Sequence, residues 1–401
     1  MSLLDSFGPR RNLAQLAQMS FEHLDFGPLS DALRQAIADN PKDAEALMEL
    51  SQIELMLGER ASSAELQEQA LRLKRVYADP TNPAHPDLVA IAFCSRGDFM
   101  ANTPMEFMLA DSNIALHRVY IGAGESLPDV PAHDVAIVAV GYSAASHTLL
   151  EELDLRLAAW PKPVVNKVAG ILRTGRDTMA PVFEGIDAVA MPPTVKLSRD
   201  EAFGFAAELR KHEAGKPPFP ILIRPLDSHA GTELELVLAP DAFDRYLKFH
   251  IRPGYFVSSF IDYRSADGLF RKYRVAVIDG VPYPSHMGVS DHWMIHYLNA
   301  GMTRNADKRA EEARFMDEFE SSSGFRRRHE AALREVAQRL GLEYFALDCA
   351  ETRDGRLLVF EIDVAMIVHM MDPIDMFPYK HVHMPRLFKA YQAMLRRAAG
   401  R

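Results

Sequence analysis

The chain has 401 residues, 48% of them hydrophobic and 25% charged, an ordinary balance for a soluble globular protein of about two to three domains. A net charge of −10 argues against a general nucleic-acid binder or a binder of anionic membranes. Two cysteines, Cys94 and Cys349, both in apolar runs, give no disulfide framework and fit a reducing cytoplasm, and no window approaches the ~20 apolar residues of a membrane span.

From Arg10 to about Ala78 the pattern predicts helices, with Leu13, Leu16, Ala17 and then Leu29, Leu33, Ile37 at helical spacing. The stretch from Asp43 carries Ala46 and Leu50 in a first helix, Gly58 at a turn and Ala70 in a second. It resembles one tetratricopeptide-type helix pair, where an array needs about three units to stabilise itself. Two roles stand for residues 1–82: a helical cap on the rest of the chain, or a surface that contacts a peptide or protein partner.

A Pro- and Asn-rich linker, Asp79 to Pro86, introduces the short apolar strands Leu88–Phe93, His117–Ala123, Asp134–Gly141 and Pro163–Val168, with a helix over Ser146–Trp160. Strands apolar on both faces and alternating with helices predict a parallel α/β layer over residues 83–165. No GxGxxG follows the first strand, so a dinucleotide site is not supported.

Beyond Pro192 a capping box, Ser198 with Glu201, opens a helix to about His212. The strand ILIRP ends near Arg224, a loop with Ser228, His229 and Gly231 follows, and then a helix over Asp241–Phe249 and the strand Tyr255–Ile261. The strand RKYRVAVI turns at Asp279-Gly280, a dipeptide that favours tight hairpins. Counting outward from that turn pairs Arg274 with Ser285 and Tyr273 with His286, and puts Lys272 and Arg274 on one face. Helices over Ala306–Phe319 and Arg326–Leu340 precede a second hairpin, and a basic amphipathic helix near Pro385–Ala398 closes the chain.

The second hairpin, from Tyr344 to Val364, holds the strongest chemical signal. With Asp354-Gly355 as a two-residue turn, Asp348 falls opposite Glu361, and Asp363 shares the side of Glu361. The other side reads Phe345, Leu347, Cys349 against Leu358, Phe360, Ile362, all apolar. Like charges directly opposed on a sheet repel, so either a cation sits among these carboxylates or the hairpin has a solvated acidic rim. Oxygen ligands of this kind suit Mg²⁺ or Mn²⁺ shared with phosphate. Of the histidines nearby, including His292, His296, His369, His381 and His383, none has a reliable zinc spacing; His286 stands out because it follows Arg274 across the turn.

This order resembles the ATP-grasp superfamily of carboxylate–amine ligases: a cation ending a strand (Arg224), a Gly-containing loop (Asp227–Gly231), a hinge strand (Val257–Ile261), a strand Arg (Arg274), and acid…E-x-acid in a closing hairpin (Asp348, Glu361, Asp363). The resemblance covers about residues 166–363. It implies an α/β fold with an ATP-grasp catalytic region over 166–401, a small lid at about 195–257, a preceding parallel α/β domain, and the all-α segment at the N-terminus. It further implies ATP and Mg²⁺ (or Mn²⁺) as cofactors, with Asp348, Glu361 and Asp363 on the metal. Nucleotide contacts would come from Arg224, His229, Ser258, Ser259, Phe260, Ile261, Asp262, Lys272 and Arg274, and from a second cation, Arg176 or Lys167. The catalytic roles fall to Arg274 and Arg224, with His286 beside them.

Three positions depart from the superfamily's pattern: Arg224 replaces a usual Lys, Ser258-Ser259 a usual hinge acid, and Asp363 a usual Asn. The implied reaction phosphorylates a carboxylate with ATP and passes the acyl group to an amine of an amino acid or peptide. Two other outcomes stay open: a nucleotide-binding scaffold working through its helices, and a phosphotransferase using His229. A cytoplasmic protein with small-molecule or peptide substrates, with a homodimer open as its assembly and with no nucleic acid and no membrane, completes the expectation.

Overall fold

Four helices lead the chain in the computed structural model, which describes residues 8–213, 216–226, 228 and 231–401: α1 (Leu13–Phe21), α2 (Gly27–Asp39), α3 (Ala44–Met56) and α4 (Arg60–Leu73). Asn12 caps α1 through a reciprocal bond with Gln15, and Asp43 caps α3 through the Ala46 amide. Gly58, at φ +88°, supplies the left-handed turn between α3 and α4. Helix α3 is buried on two sides. Ala46, Leu50 and Ile53 meet Leu16, Phe26, Leu29 and Leu33. Ala44, Leu47 and Met48 join Leu88, Leu116 and Ile137 of the next layer.

That layer begins with β1 (Val76–Ala78), where the helical pattern predicts a helix end instead. Val76 and Tyr77 are β-prone, and Tyr77 buries its ring while its hydroxyl bonds the Ala70 carbonyl at 3.1 Å. Then follow β2 (Leu88–Cys94), α5 (Met105–Met108), β3 (Ile114–Tyr120), β4 (Val135–Val138), α6 (His147–Leu157) and β5 (Val164–Val165). The sheet order is β1-β3-β2-β4-β5, parallel except for the edge strand β1.

After the short α7 (Val168–Ile171), α8 (Met179–Val182) and β6 (Val189–Ala190) comes a separate antiparallel sheet. It consists of β7 (Thr194–Ser198), β8 (Ile221–Pro225), β9 (Glu235–Val237) and β10 (Gly254–Ser259), in the order β7-β10-β8-β9. Helices α9 (Arg199–Leu209), opened by the Ser198–Glu201 capping box, and α10 (Pro240–Phe249) share a core with it built on Ile221, Ile223, Phe243 and Tyr255.

The last sheet has the order β12-β11-β13-β14-β6, from β11 (Phe270–Ile278), β12 (Val281–Ser290), β13 (Tyr344–Glu351) and β14 (Leu357–Asp363). Helices α11 (Ala306–Asp317), α12 (Phe325–Arg328), α13 (Glu330–Leu340) and α14 (Lys380–Ala398) complete the chain. One face of the sheet (Val275, Val277, Phe345, Leu347) packs with Leu150 and Val336; the other (Ala276, Tyr344, Ala346) packs under Leu387 and Tyr391 of α14.

Both hairpins differ in detail from simple counting. At Asp279-Gly280 both residues have positive φ (49° and 75°) and Ile278 pairs with Val281, but a bulge after Arg274 pairs it with His286, and Tyr273 with Met287. At Asp354-Gly355 only Gly355 is left-handed (φ +82°). Thr352 closes a three-residue loop instead, its amide on the Arg356 carbonyl at 3.0 Å and its hydroxyl accepting from the Arg356 amide at 2.9 Å. A bulge then leaves Phe360 unpaired, and the two offsets cancel, so Asp348 does face Glu361. Between the loop and the bulge the register is offset by one, so Leu358 and Phe360 lie on the side of Tyr263 and Phe377, away from Cys349, while Leu357 and Val359 take the places expected of them in the core.

Candidate active site

Strand β11 lies between β12 and β13, not at an edge, and this brings its cations onto the acidic hairpin. Arg274 sits opposite Asp348 and bonds both its oxygens, Nε to Oδ1 at 2.7 Å and Nη2 to Oδ2 at 3.0 Å. Lys272 Nζ adds a contact to Oδ2 at 2.6 Å, and Arg274 Nη1 donates to the Ile367 carbonyl at 2.9 Å. Burial opposes the charged form of Asp348, yet Arg274 and Lys272 hold its carboxyl far below the usual range.

The next carboxylate is held differently. Glu361 accepts from Arg176, which arrives on the loop after the turn Leu172–Thr174. Burial raises the pKa of Glu361, but Arg176 and then Arg224 outweigh it and keep the group ionised. Asp363 accepts the Ala365 amide at 2.9 Å; desolvation, reinforced by Glu361, pushes its pKa up to about 7. The loop after β4 comes close here, because a Cβ on Gly141 would lie 2.8 Å from Ala365 Cβ and 3.0 Å from Asp363 Oδ1.

Across from β14 stands the face of the four-stranded sheet. Its register aligns Lys196 of β7, Phe256 of β10 and Arg224 of β8 in one row, and directly paired residues share a face. Arg224 Nε donates to Ser228 Oγ at 2.9 Å and Nη2 to the Ser228 carbonyl; burial and Arg176 bring its pKa down to about 10. Between these walls lies a cleft of about 640 Å³, lined by Tyr142, Ser143, Arg176, Lys196, Ser228, Phe256, Glu361 and Asp363.

Several residues singled out in the sequence therefore converge: Arg176, Glu361 and Asp363 line the cleft, Arg224 holds the Ser228 loop at its wall, and Asp348, Arg274 and Lys272 lie alongside. His286, opposite Arg274, stacks on Tyr297 with ring centroids 4.5 Å apart, and burial together with Arg274 keeps it neutral. Behind it Lys380 pairs with Asp372 at 2.8 Å while Tyr297 and Tyr379 donate to Glu312 at 2.9 and 2.6 Å, a buried network that anchors α14.

Others lie elsewhere. Lys167 is exposed at the start of α7. Ser258 and Ser259 end β10, opposite Leu222 and Ile221, and Phe260 packs on Trp293 as the chain, continuing through Ile261, crosses toward β11. Asp262 is gripped by Arg264 at 2.7 Å and Arg353 at 3.4 Å. Asp227 and His229 lie outside the described residues. Among the described residues, no group of three or more His, Cys, Asp or Glu side chains is arranged to hold a metal ion. Asp348, expected as a metal ligand, has its oxygens on Arg274 and Lys272 instead.

Lys196, Phe256, Tyr142 and Ser143 line the cleft without having been legible as candidates. TVKLS alternates as any strand does, and only the β7–β10 pairing carries Lys196 to the cleft.

No protein-family model and no curated protein matches the chain. Among solved structures it is similar to the RimK domain ATP-grasp protein of Sphaerobacter thermophilus DSM 20745, at 18% identity over 75% of this chain and 98% of that one, with a TM-score of 0.41. It is also similar to the D-alanine-D-alanine ligase of Coxiella burnetii, at 12% identity over 78% of this chain and 96% of that one, TM-score 0.47. The VanG D-Ala:D-Ser ligase of Enterococcus faecalis matches at 12% identity over 77% of this chain and 98% of that one, TM-score 0.47.

Proposed function

We propose that this chain is an ATP-grasp ligase, which uses ATP and a divalent cation to activate a carboxylate as an acyl phosphate and joins it to an amine of an amino acid or peptide. The observation that carries the reading is the cleft itself. A row of Lys196, Phe256 and Arg224 on one sheet faces Arg176, Glu361 and Asp363 on the other side. An aromatic ring flanked by cations suits a base and its phosphates, and carboxylates across from them suit the cation that a polyphosphate brings.

The donor set fits Mg²⁺ or Mn²⁺ in a restricted way. Mg²⁺ commonly takes one or two protein carboxylates and completes its shell with phosphate and water. Glu361 and Asp363 both line the cleft, and the raised pKa of Asp363 marks a carboxylate short of positive charge. These two would hold the ion, which would neutralise charge on the transferring phosphoryl group. Asp348 acts by fixing Arg274 and Lys272 toward the same region, and Arg176 and Arg224 supply further positive charge where the phosphates lie. No nucleophilic side chain is needed, since the substrate carboxylate attacks the phosphate and the amine attacks the acyl phosphate.

The test is turnover of ATP against a panel of amino acids and short peptides, with the nucleotide products resolved. ADP and phosphate, formed only with a divalent cation, are expected. AMP and pyrophosphate would overturn the acyl-phosphate route, and tight nucleotide binding without turnover on any substrate would assign the chain to the scaffold class.

A further inference from the structure

An amine that attacks an acyl phosphate sheds a proton as it does so. The carboxylates near the cleft are committed elsewhere: Glu361 and Asp363 to the cation, and Asp348 to Arg274 and Lys272. The registers of the last sheet supply another group. His286 pairs with Arg274, Arg274 with Asp348 and Asp348 with Glu361, so four residues on neighbouring strands form a single row on one face. Its ends lie three strand spacings apart, about 14 Å. A phosphoryl group at the Glu361 end and an acyl carbon over Arg274 leave the amine at the His286 end.

Two other histidines lie close to Arg274, and in both the lone pair is occupied. The His296 ring accepts the Asn299 amide, and His369 Nδ1 accepts the Met371 amide at 3.1 Å, so the remaining nitrogen of each neutral ring carries the hydrogen. Among the described residues His286 makes no hydrogen bond. Its ring lies against Tyr297, with centroids 4.5 Å apart, and is partly exposed. Its lone pair is free.

The charged and titratable groups that face the His286 ring are Arg274 on β11, Lys380 on α14, Asp348 on β13 and His369 on the loop after β14. Burial and the two cations outweigh Asp348 and keep the ring neutral. An acyl phosphate over Arg274 adds negative charge beside the ring, which favours the imidazolium at the moment a proton arrives.

We infer that His286 is the general base of the amine-transfer step, an assignment that rests on the ligase reading above. A neutral primary amine at the His286 end of the row attacks the acyl carbon. The C–N bond forms, the C–O bond to phosphate breaks, and one N–H proton moves to the His286 lone pair. The imidazolium then gives that proton to the departing phosphate, which leaves as hydrogen phosphate, and the ring is neutral again.

The test compares two nucleophiles on the full chain with ATP and Mg²⁺. The common amino acids and short peptides serve as carboxylate donors, each offered hydroxylamine or an amino acid as acceptor. Hydroxylamine is weakly basic and reacts with acyl phosphates without a base. His286→Gln keeps a polar group and His286→Phe keeps a ring against Tyr297. In both, the ratio of amide to hydroxamate rate should fall by roughly a hundredfold or more, the contribution of a general base. An unchanged ratio in either folded variant, or equal losses with both nucleophiles, would overturn the base role and leave the ligase reading in place. Hydroxamate with no amide from any acceptor would overturn the amine step itself, and no hydroxamate from any donor would sink the ligase reading and the base role together. A measurement on the wild type needs neither variant nor substrate. Diethyl pyrocarbonate, which acylates a free imidazole nitrogen, should modify His286 ahead of His296 and His369 when the sites are mapped by mass spectrometry, and the reverse order would also overturn the assignment.

Discussion

Arg274 and Asp348 stand directly opposite one another on β11 and β13, and the guanidinium bonds both carboxylate oxygens, at 2.7 and 3.0 Å. With Lys272 on the same carboxylate, the acidic hairpin is tied to the strand beside it before any ligand is considered. Removing the acid leaves two partly buried cations without their counter-charge. Asp348→Asn is therefore expected to lower stability by on the order of 3 kcal/mol, read from urea unfolding. Because its folded pKa is depressed, Asp348 contributes stability above the ordinary carboxylate range and loses it as the pH falls below that range. The variant should show a shallower acid limb; an unchanged acid limb would show that the pair does not stabilise the fold.

Glu361→Gln keeps the shape of the side chain and removes the charge that Arg176 and a bound cation share. Turnover of ATP should drop by roughly a hundredfold or more, with the fold retained by circular dichroism. Wild-type turnover in a folded variant would remove Glu361 from the metal assignment.

Asp363 sets a pH dependence of the opposite sign. Its pKa is raised from 3.8 to about 7, so between those values the unfolded chain has lost the proton while the folded chain keeps it. Stability attributable to this residue falls across that window and stays flat above it. Asp363→Asn should remove that slope and melt higher than wild type at about pH 8, where the wild-type chain carries the full penalty. In the wild type, Mn²⁺-dependent ATP affinity should rise as the pH passes through about 7, since the proton competes with the ion. A variant that melts in parallel with wild type across this range would refute the assignment.

The helical segment shares a core with the α/β layer through Leu47, which is 1% exposed. Leu47→Ala should cost about 2–5 kcal/mol. If the segment is a structural cap, the loss appears in the main unfolding transition of the chain. A separate early transition, with the main one unmoved, would instead mark the helices as an independent unit suited to partner delivery.

Much of the local structure was readable from the residues. The capping box at Ser198, the strand ILIRP, the Asp279-Gly280 turn and the facing of Asp348 and Glu361 all follow from backbone sterics and from periods of two and 3.6, which act over a few residues. Even so, the facing of Asp348 and Glu361 was reached through two compensating offsets, a three-residue loop and the Phe360 bulge, and the sequence shows neither. The partners of the site residues are another matter. Arg274 meets Asp348 across 74 residues of chain, Arg176 meets Glu361 across 185, and Lys196 reaches the cleft only through pairing with Phe256. Which strands become neighbours depends on how the apolar faces of three sheets are buried together. An alternating pattern states that a strand has a buried face but not which strand will lie beside it. The carboxylates could therefore be found in the sequence, and the cations that hold them could not be assigned until the sheets were packed.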